Sequence, residues 1–428
     1  MSRIVLAYSG GLDTSVLLKK LILAGNEVVA MTADLGESDG VAGEGAAAEL
    51  EKVKAKALAL GAYDAVVIDA RERFVKDYVQ PALAANALYE GVYPLSAALS
   101  RPLIGALLVE VAHQYDADAV AHGCTGKGND QVRIELAVRS LDPSLTVRAP
   151  LRESPLSRPD AMAFAAEHGI PVAHSAAKPY SIDANLWGRS IEAGVLEDPW
   201  TAPPEDAYAW TAAASAQPAA PDDVVIHFER GVPFLDAGGP SSLDYGRSAP
   251  YARDDKMIAK LNALAGKHGI GRIDLVEDRV IGVKSREVYE APAATVLIAA
   301  HKALERLVLT RDELRFKAGC DQKYSELVYD GLWMSPLRDA LDAFNASFAA
   351  RLTGEVRVRL FHGAVTTAGV RSPFALYNEA LATYSNADTF DHHAADGFIR
   401  LYGLPLDQLA LIRSLDYASL DSASLRSG

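Results

Sequence analysis

An apolar run over residues 4–8 passes through two consecutive glycines and enters a helical pattern over residues 15–23. The connection reads Ala7-Tyr8-Ser9-Gly10-Gly11-Leu12-Asp13-Thr14-Ser15. A strand that turns this tightly into a helix builds an anion site. The helix N-terminus presents unpaired backbone N–H groups and the positive end of its dipole. Gly10 and Gly11 let the backbone approach a ligand closely, and Ser9, Thr14 and Ser15 add hydroxyl donors. No lysine is present, so this is not the GxxxxGK[ST] phosphate loop. The plainer reading is a turn capped by Asp13 or Thr14. Two glycines flanked by three hydroxyl residues exceed what a cap requires.

The strand–helix alternation continues for about 170 residues. Strands are expected over 4–7, 28–32, 65–68, 119–121 and 146–147, with helices between them such as 46–60 and 103–115. This pattern predicts an α/β fold with a doubly wound parallel sheet. Ligands of such sheets sit at the carboxyl ends of the strands. The Ser9–Ser15 loop, Asp34 and the segment from His122 to Asp130 all occupy such positions. Ser157 is expected to cap a helix that begins at Arg158-Pro159 and stops at Gly169. A nucleotide-binding domain over 1–170 follows.

The second half is mixed. Residues 202–223, rich in Pro, Ala and Asp, read as a long surface loop. Strands are expected over 224–228, 273–276 and 280–283. Helices are expected over 254–268, 291–307, 321–332 and 337–352. Residues 356–361 and 365–370 flank His362-Gly363 as a hairpin. An α+β domain over 171–396 and a tail over 397–428 are expected, the tail carrying an apolar stretch at 404–411. Gly43-Glu44-Gly45 imitates a dinucleotide fingerprint, but it stands too far behind its strand and among acidic residues, so an acidic loop is expected instead.

The net charge of −14 opposes non-specific nucleic-acid binding. Only two cysteines occur, Cys124 and Cys320, and no metal-ligand spacing accompanies them, so neither a disulfide framework nor a metal site is expected. No signal core and no 18-residue apolar run appears, so no membrane partner and a cytoplasmic location are expected.

A second constellation reads His-Gly-Cys-Thr-Gly-Lys-Gly-Asn-Asp-Gln-Val-Arg-Ile-Glu from His122 to Glu135. Three glycines make a loop at a strand end. Asn129 and Arg133 share a helix face if the helix has begun by Asn129. An amide beside a guanidinium holds a carboxylate, and Asp130 can hold an ammonium. One loop can thus grip both ends of an amino acid. A capped glycine loop is the bland alternative.

The first loop matches the SGG-x-D-[ST]-S signature and resembles the ATP pyrophosphatase (PP-loop) family. Together with Thr125-Gly-Lys-Gly-Asn-Asp-Gln-Val-Arg133, it resembles the argininosuccinate synthase family. Further matching motifs run to about Arg400, among them Leu99-Ser100-Arg101-Pro102, Lys178-Pro179-Tyr180-Ser181 with Asp183 and Asn185, Glu192-Ala193-Gly194 and Glu326-Leu-Val-Tyr329. The resemblance implies a C–N ligase that joins citrulline and aspartate through citrullyl-AMP, using ATP with Mg2+ and releasing AMP and pyrophosphate. It implies a homotetramer joined partly by the tail, and no nucleic-acid partner.

Carried over by motif, the ATP set is Ala7, Tyr8, Ser9, Gly10, Gly11, Leu12, Asp13, Thr14, Ser15, Ala33 and Gly123. Aspartate would meet Thr125, Asn129 and Asp130. Citrulline would meet Tyr93, Asn129, Arg133, Ser181, Ser190, Glu277 and Tyr289. Asp13, Asn129 and Asp130 are the expected catalytic residues, Asp130 orienting the aspartate amine and accepting its proton. Two departures stand out. Ala97 and Ala98 fall where the family carries hydroxyls, which predicts weaker citrulline binding unless Ser96 or Ser100 compensates. The loop over 37–45 is longer and more acidic than the family's link.

Overall fold

The computed structural model describes residues 2–36, 46–171, 180–235, 254–385 and 388–424. The acidic loop 37–45 and Lys178-Pro179 lie outside the described residues. The chain divides into two compact units, Met1–Phe374 and Ala375–Gly428.

The first unit begins with β1 (Arg3–Ala7), α1 (Leu12–Leu23), β2 (Glu27–Asp34), α2 (Ala46–Ala59) and β3 (Asp64–Asp69). A helix follows in three registers: α3 (Arg71–Phe74), a π-type stretch Val75–Val79, and α4 (Gln80–Ala84). Next come α5 (Ser96–Gln114), β4 (Ala119–Ala121), α6 (Asp130–Leu141), β5 (Thr146–Arg148), α7 (Pro150–Glu153) and α8 (Arg158–Glu167). The five strands form a sheet in the order β3-β2-β1-β4-β5. Every pairing in it is parallel. The α/β expectation therefore holds. Alternate residues of β1 serve different layers: Ile4 and Leu6 pack with Val16 and Leu17 of α1, and Val5 belongs to the other core with Leu103 and Leu107 of α5. A parallel sheet buried on both faces requires such apolar runs.

Ser157 caps α8, accepting from the Asp160 N–H at 3.2 Å. Helix α5 starts seven residues before the expected position 103. Pro102 lies inside it and costs one backbone bond, but it does not end it.

The remainder of this unit holds two antiparallel sheets. One is β10-β11-β7-β6, built from β6 (Ser181–Asn185), β7 (Gly188–Glu192), β10 (Arg272–Asp278) and β11 (Lys284–Glu290). The other is β13-β12-β8-β9, built from β8 (Asp222–Glu229), β9 (Val232–Phe234), β12 (Gly354–Phe361) and β13 (Ala364–Arg371). Helices α9 (Asp254–Gly266), α10 (Pro292–Val308), α11 (Arg311–Tyr329) and α12 (Pro336–Ala346) complete it. The β12–β13 hairpin turns at His362 and Gly363, with φ of +45° and +76°. Positive φ at both central residues is the type I′ geometry.

Three expectations are corrected. Residues 280–283 form the turn between β10 and β11, with Gly282 at φ +85°, not a strand. Helix α11 begins ten residues before the expected 321, set by a capping box between Thr310 and Glu313. The stretch 202–223 is not a simple surface loop. The buried Glu290 carboxylate accepts from the N–H groups of Trp210 (2.8 Å) and Thr211 (2.9 Å), and it pairs with Arg189 at 2.6 Å. That anchor fixes the strap to β11.

In the second unit, α13 (Glu379–Ala382) precedes α14 (His392–Ser424). Among the described residues no helix is long and apolar enough to cross a membrane.

Candidate active site

Strand β1 pairs with both β2 and β4, so the chain reverses its winding direction there. In open parallel sheets a crevice forms at that switch point. The loops after β1 and β4 meet in it: a Cβ on Gly123 would lie 3.3 Å from Thr14 Cγ2. Helix α1 starts at Gly11 without a side-chain cap. Asp13 and Thr14 therefore leave its first N–H groups open, and Thr14 Oγ1 pairs instead with Ser9 Oγ at 3.0 Å. Gly10 stands at φ +75°, where a Cβ would lie 2.9 Å from Val53 Cγ2. Lys56 Nζ donates to the Gly10 carbonyl at 2.7 Å.

This crevice is a cavity of about 730 Å³. Of the expected ATP set, Ala7, Tyr8, Ser9, Gly11, Leu12, Asp13, Thr14, Ala33 and Gly123 line it. Gly10 and Ser15 stand behind the wall and shape it. Ser15 is buried, with its hydroxyl 3.0 Å from that of Tyr8.

A second cavity, of about 130 Å³, shares a wall with the first. Arg101, Thr125, Gly128, Asp130, Asp183 and Glu192 border both. Tyr93, Asn129, Arg133, Ser190, Glu277 and Tyr289, all expected from sequence, line the small one. Ser181 lines the large one instead.

Asn129 occupies the N-cap position of α6 but its side chain makes no cap bond. Its Oδ1 accepts from the Val280 N–H at 3.0 Å, and its Nδ2 donates to the Tyr329 hydroxyl at 2.9 Å. The bland capping alternative is thereby set aside. Arg133 is buried. Its Nε donates to the Tyr329 carbonyl at 2.9 Å and its Nη1 reaches Asp130 Oδ1 at 3.3 Å. Its Nη2 is buried with no partner among the described residues. Arg133 lines the small cavity, and a buried guanidinium nitrogen without a partner in such a residue suits an anion receptor, its fork matching a carboxylate.

Carboxylates surround that receptor. Burial pushes the Asp130 carboxyl up, but Arg101 and Arg133 outweigh it and hold the group below the usual range. So clamped, Asp130 is better fitted to hold an ammonium than to take its proton. Burial raises Asp183 despite Arg101. Burial and the neighbouring Glu192 push Glu287 up to about 8, and Arg279 Nη2 bonds it at 2.5 Å. Burial also raises Glu277, opposed by hydrogen bonds from Tyr289 and Tyr329.

Sequence reasoning gave no role to Arg101, Asp183, Glu192, Arg279, Glu287 or Tyr329. Arg101, Asp183, Glu192 and Tyr329 did stand in motifs that match the family, and Arg101 is also a lone cation in α5. Ala97 lines the small cavity, and its N–H donates to the Tyr93 hydroxyl at 3.0 Å. Ala98 is fully buried in the apolar core. Ser100 Oγ donates to the Ala97 carbonyl at 2.9 Å and does not reach the cavity.

A parallel sheet with a glycine-rich loop of open N–H groups at its switch point and an adjoining polar cavity is the architecture of the nucleotide-binding α/β class. The family model for the arginosuccinate synthase N-terminal HUP domain matches residues 3–171, and that for the arginosuccinate synthase C-terminal domain matches residues 180–409. The chain belongs to the argininosuccinate synthase family, whose members are C–N ligases. It is 52% identical to the argininosuccinate synthase of Geobacillus kaustophilus over 98% of both chains. Identity to the Bacillus licheniformis protein is 53%, over 94% of this chain and 95% of that one. Identity to the Gloeobacter violaceus protein is 51%, over 96% and 99%.

Proposed function

We propose that the chain condenses citrulline with aspartate at the expense of ATP, with the large cavity holding the nucleotide and the small one holding citrulline. The observation that carries this reading is the buried, unpaired Nη2 of Arg133, a residue that lines the small cavity with Asp130 and Glu277. A zwitterionic amino acid offers a second carboxylate for the unpaired Nη2 of Arg133 and an ammonium for Glu277.

The ureido oxygen attacks the α-phosphorus, the bond to the β-phosphate oxygen breaks, and pyrophosphate leaves from the loop of open N–H groups at α1. The α-amino nitrogen of aspartate then attacks the activated ureido carbon. It loses a proton, and AMP departs with the C–O bonding pair. Thr125, Asn129 and Asp130 border the route by which aspartate would approach. No protein nucleophile is required; the gain comes from placement and charge stabilisation.

Among the described residues no group of three or more metal-ligating side chains exists. Mg2+ therefore fits as a companion of the triphosphate, with Asp13 as its protein carboxylate, since Mg2+ commonly binds through one carboxylate plus phosphates. It would neutralise charge on the departing pyrophosphate.

We further propose a cytoplasmic homotetramer. Cys124 and Cys320 are free thiols, which suits a reducing compartment. In the second unit, α14 exposes Phe398, Ile399, Leu401, Tyr402, Leu404 and Leu406, an apolar surface suited to self-association. A loss of molecular mass per particle beyond the deleted residues, on truncation after Asp396, would support it.

The deciding assay is citrulline-dependent release of AMP and pyrophosphate, with and without aspartate and with uncharged tRNA as a control. Turnover that requires tRNA in place of citrulline would overturn the reading.

A further inference from the structure

Tyr329 ends α11 and does not line either cavity, yet it touches three residues that do. Its hydroxyl donates to Glu277 Oε1 at 2.5 Å and accepts from Asn129 Nδ2 at 2.9 Å. Its carbonyl accepts from Arg133 Nε at 2.9 Å, and the Arg133 guanidinium lies 4.8 Å from the ring centroid. The Tyr89 ring stacks on it at 3.5 Å between centroids, 4° from parallel. Gly331, at φ +78°, brings the end of α11 this close to α6: a Cβ there would lie 2.9 Å from Arg133 Cα.

We propose that Tyr329 is a positioning residue for the amino-acid cavity, its hydroxyl tying Glu277 to Asn129 so that both present fixed geometry to citrulline. This rests on the reading of the small cavity given above.

Glu277 receives one phenolic hydrogen on each oxygen, from Tyr289 at 2.6 Å and from Tyr329. The two partners differ in kind. Tyr289 lines the cavity and can re-pair with a ligand, whereas Tyr329 is enclosed. Its bond therefore stands whether or not the site is filled. The charged and titratable groups facing Glu277 are Tyr289 and Glu287 of β11, Arg279, Arg133 of α6, Tyr329, and Tyr89 and Tyr93 from the segment before α5. Against burial, each phenolic donor favours the ionised carboxylate. Without the Tyr329 hydroxyl, Glu277 gains affinity for a proton and loses its hold on an ammonium as the pH falls. Asn129 Nδ2 loses an acceptor, leaving the amide held on its Oδ1 side alone, by the Val280 N–H.

The test uses full-length Tyr329→Phe and Glu277→Gln, with KM for citrulline and for ATP measured from pH 6 to 9. Tyr329→Phe keeps both ring contacts. Its KM for citrulline should rise about tenfold or more at pH 6, as expected for a lost hydrogen bond to a charged group, and should recover toward pH 9. KM for ATP should stay put. Glu277→Gln should raise KM for citrulline at every pH. If Glu277→Gln leaves citrulline KM unchanged, the reading of the cavity fails. If Glu277→Gln acts and Tyr329→Phe has no effect, or raises the citrulline and ATP constants equally at all pH values, only the Tyr329 role is overturned. Tyr329→Met, with the same readouts, replaces the Phe variant should that one not fold.

Discussion

Arg101 and Asp130 meet at 2.8 Å in the wall between the two cavities, and the same guanidinium nitrogen reaches Asp183 at 2.8 Å. One cation thus stands between two carboxylates that would otherwise repel. We predict that Arg101→Gln raises the Asp130 pKa, because the cation that favoured its charge is gone. Ionised Asp130 would then be lost at a higher pH. The acid limb of the kcat/KM profile for aspartate should move upward. An unmoved limb would remove Asp130 from the reaction.

Arg133 offers a sharper test of the small cavity. Arg133→Lys keeps a charge but cannot present a fork or reach the Tyr329 carbonyl in the same way. KM for citrulline should rise about ten- to a hundredfold, the worth of one charge-assisted hydrogen bond. Equilibrium binding of ATP, followed by calorimetry, should change little. A variant that binds citrulline normally would contradict the receptor role.

Gly10→Ala places a methyl 2.9 Å from Val53 Cγ2 on a backbone at φ +75°. The strain is about 1–3 kcal/mol, and the loop must shift to relieve it. ATP affinity should fall. Adding Val53→Ala should recover part of the loss, since it removes the contact but not the strained φ. Identical ATP affinity in the single variant would show that the loop does not need this conformation.

The hydroxyls that the family carries at positions 97 and 98 can be restored one at a time. The structure puts Ala98 in the core, fully buried. A hydroxyl there costs about 1–3 kcal/mol if it finds no partner. Urea unfolding should register that loss, with citrulline KM unchanged. Ala97→Ser, on the cavity wall, is the substitution that should alter citrulline KM. Improved citrulline binding by Ala98→Ser would return the original assignment.

Away from the site, His301 is enclosed with its Nδ1 2.8 Å from Asn86 Oδ1, and burial lowers its pKa to about 4. Unfolded, it titrates near 6.5, so the unfolded chain binds the extra proton between these values. Stability should fall as the pH drops through that window, by up to about 3 kcal/mol. Burial raises Asp321 nearby to about 6, and that group works in the opposite direction. His301→Gln should therefore be weaker at pH 7 yet lose less on acidification. Urea midpoints at pH 7 and pH 5 measure both; an equal or steeper fall in the variant would count against the buried imidazole.

What could be read from the sequence was what a local pattern encodes. The parallel strands were visible as short apolar runs, and the loop at Ser9–Ser15 as glycines beside hydroxyls. The Thr310–Glu313 capping box is equally local and sets the start of α11 ahead of the apolar pattern that begins near 321. Pro102 misled in the other direction, since a tertiary core keeps α5 helical through it. Glu287 and Arg279 carried no local signal, and the motif that holds Tyr329 assigned it no role. Their importance arises from approaches between elements as much as 200 residues apart, as between Asn129 and Tyr329. The strap at 202–223 escaped for the same reason, its anchor Glu290 being remote in sequence.

The phosphate-type loop at α1 is built from backbone N–H groups, serines and a threonine. None of these changes charge across the range in which enzymes are assayed. Of the site's carboxylates, Glu277 and Glu287 belong to the small cavity alone, whereas Asp130 and Asp183 stand in the wall it shares with the large one. Acidity should then reach amino-acid capture by two routes, through Glu277 and Glu287 directly and through the shared wall, but nucleotide capture only through that wall and the groups beside the loop rather than through the loop itself.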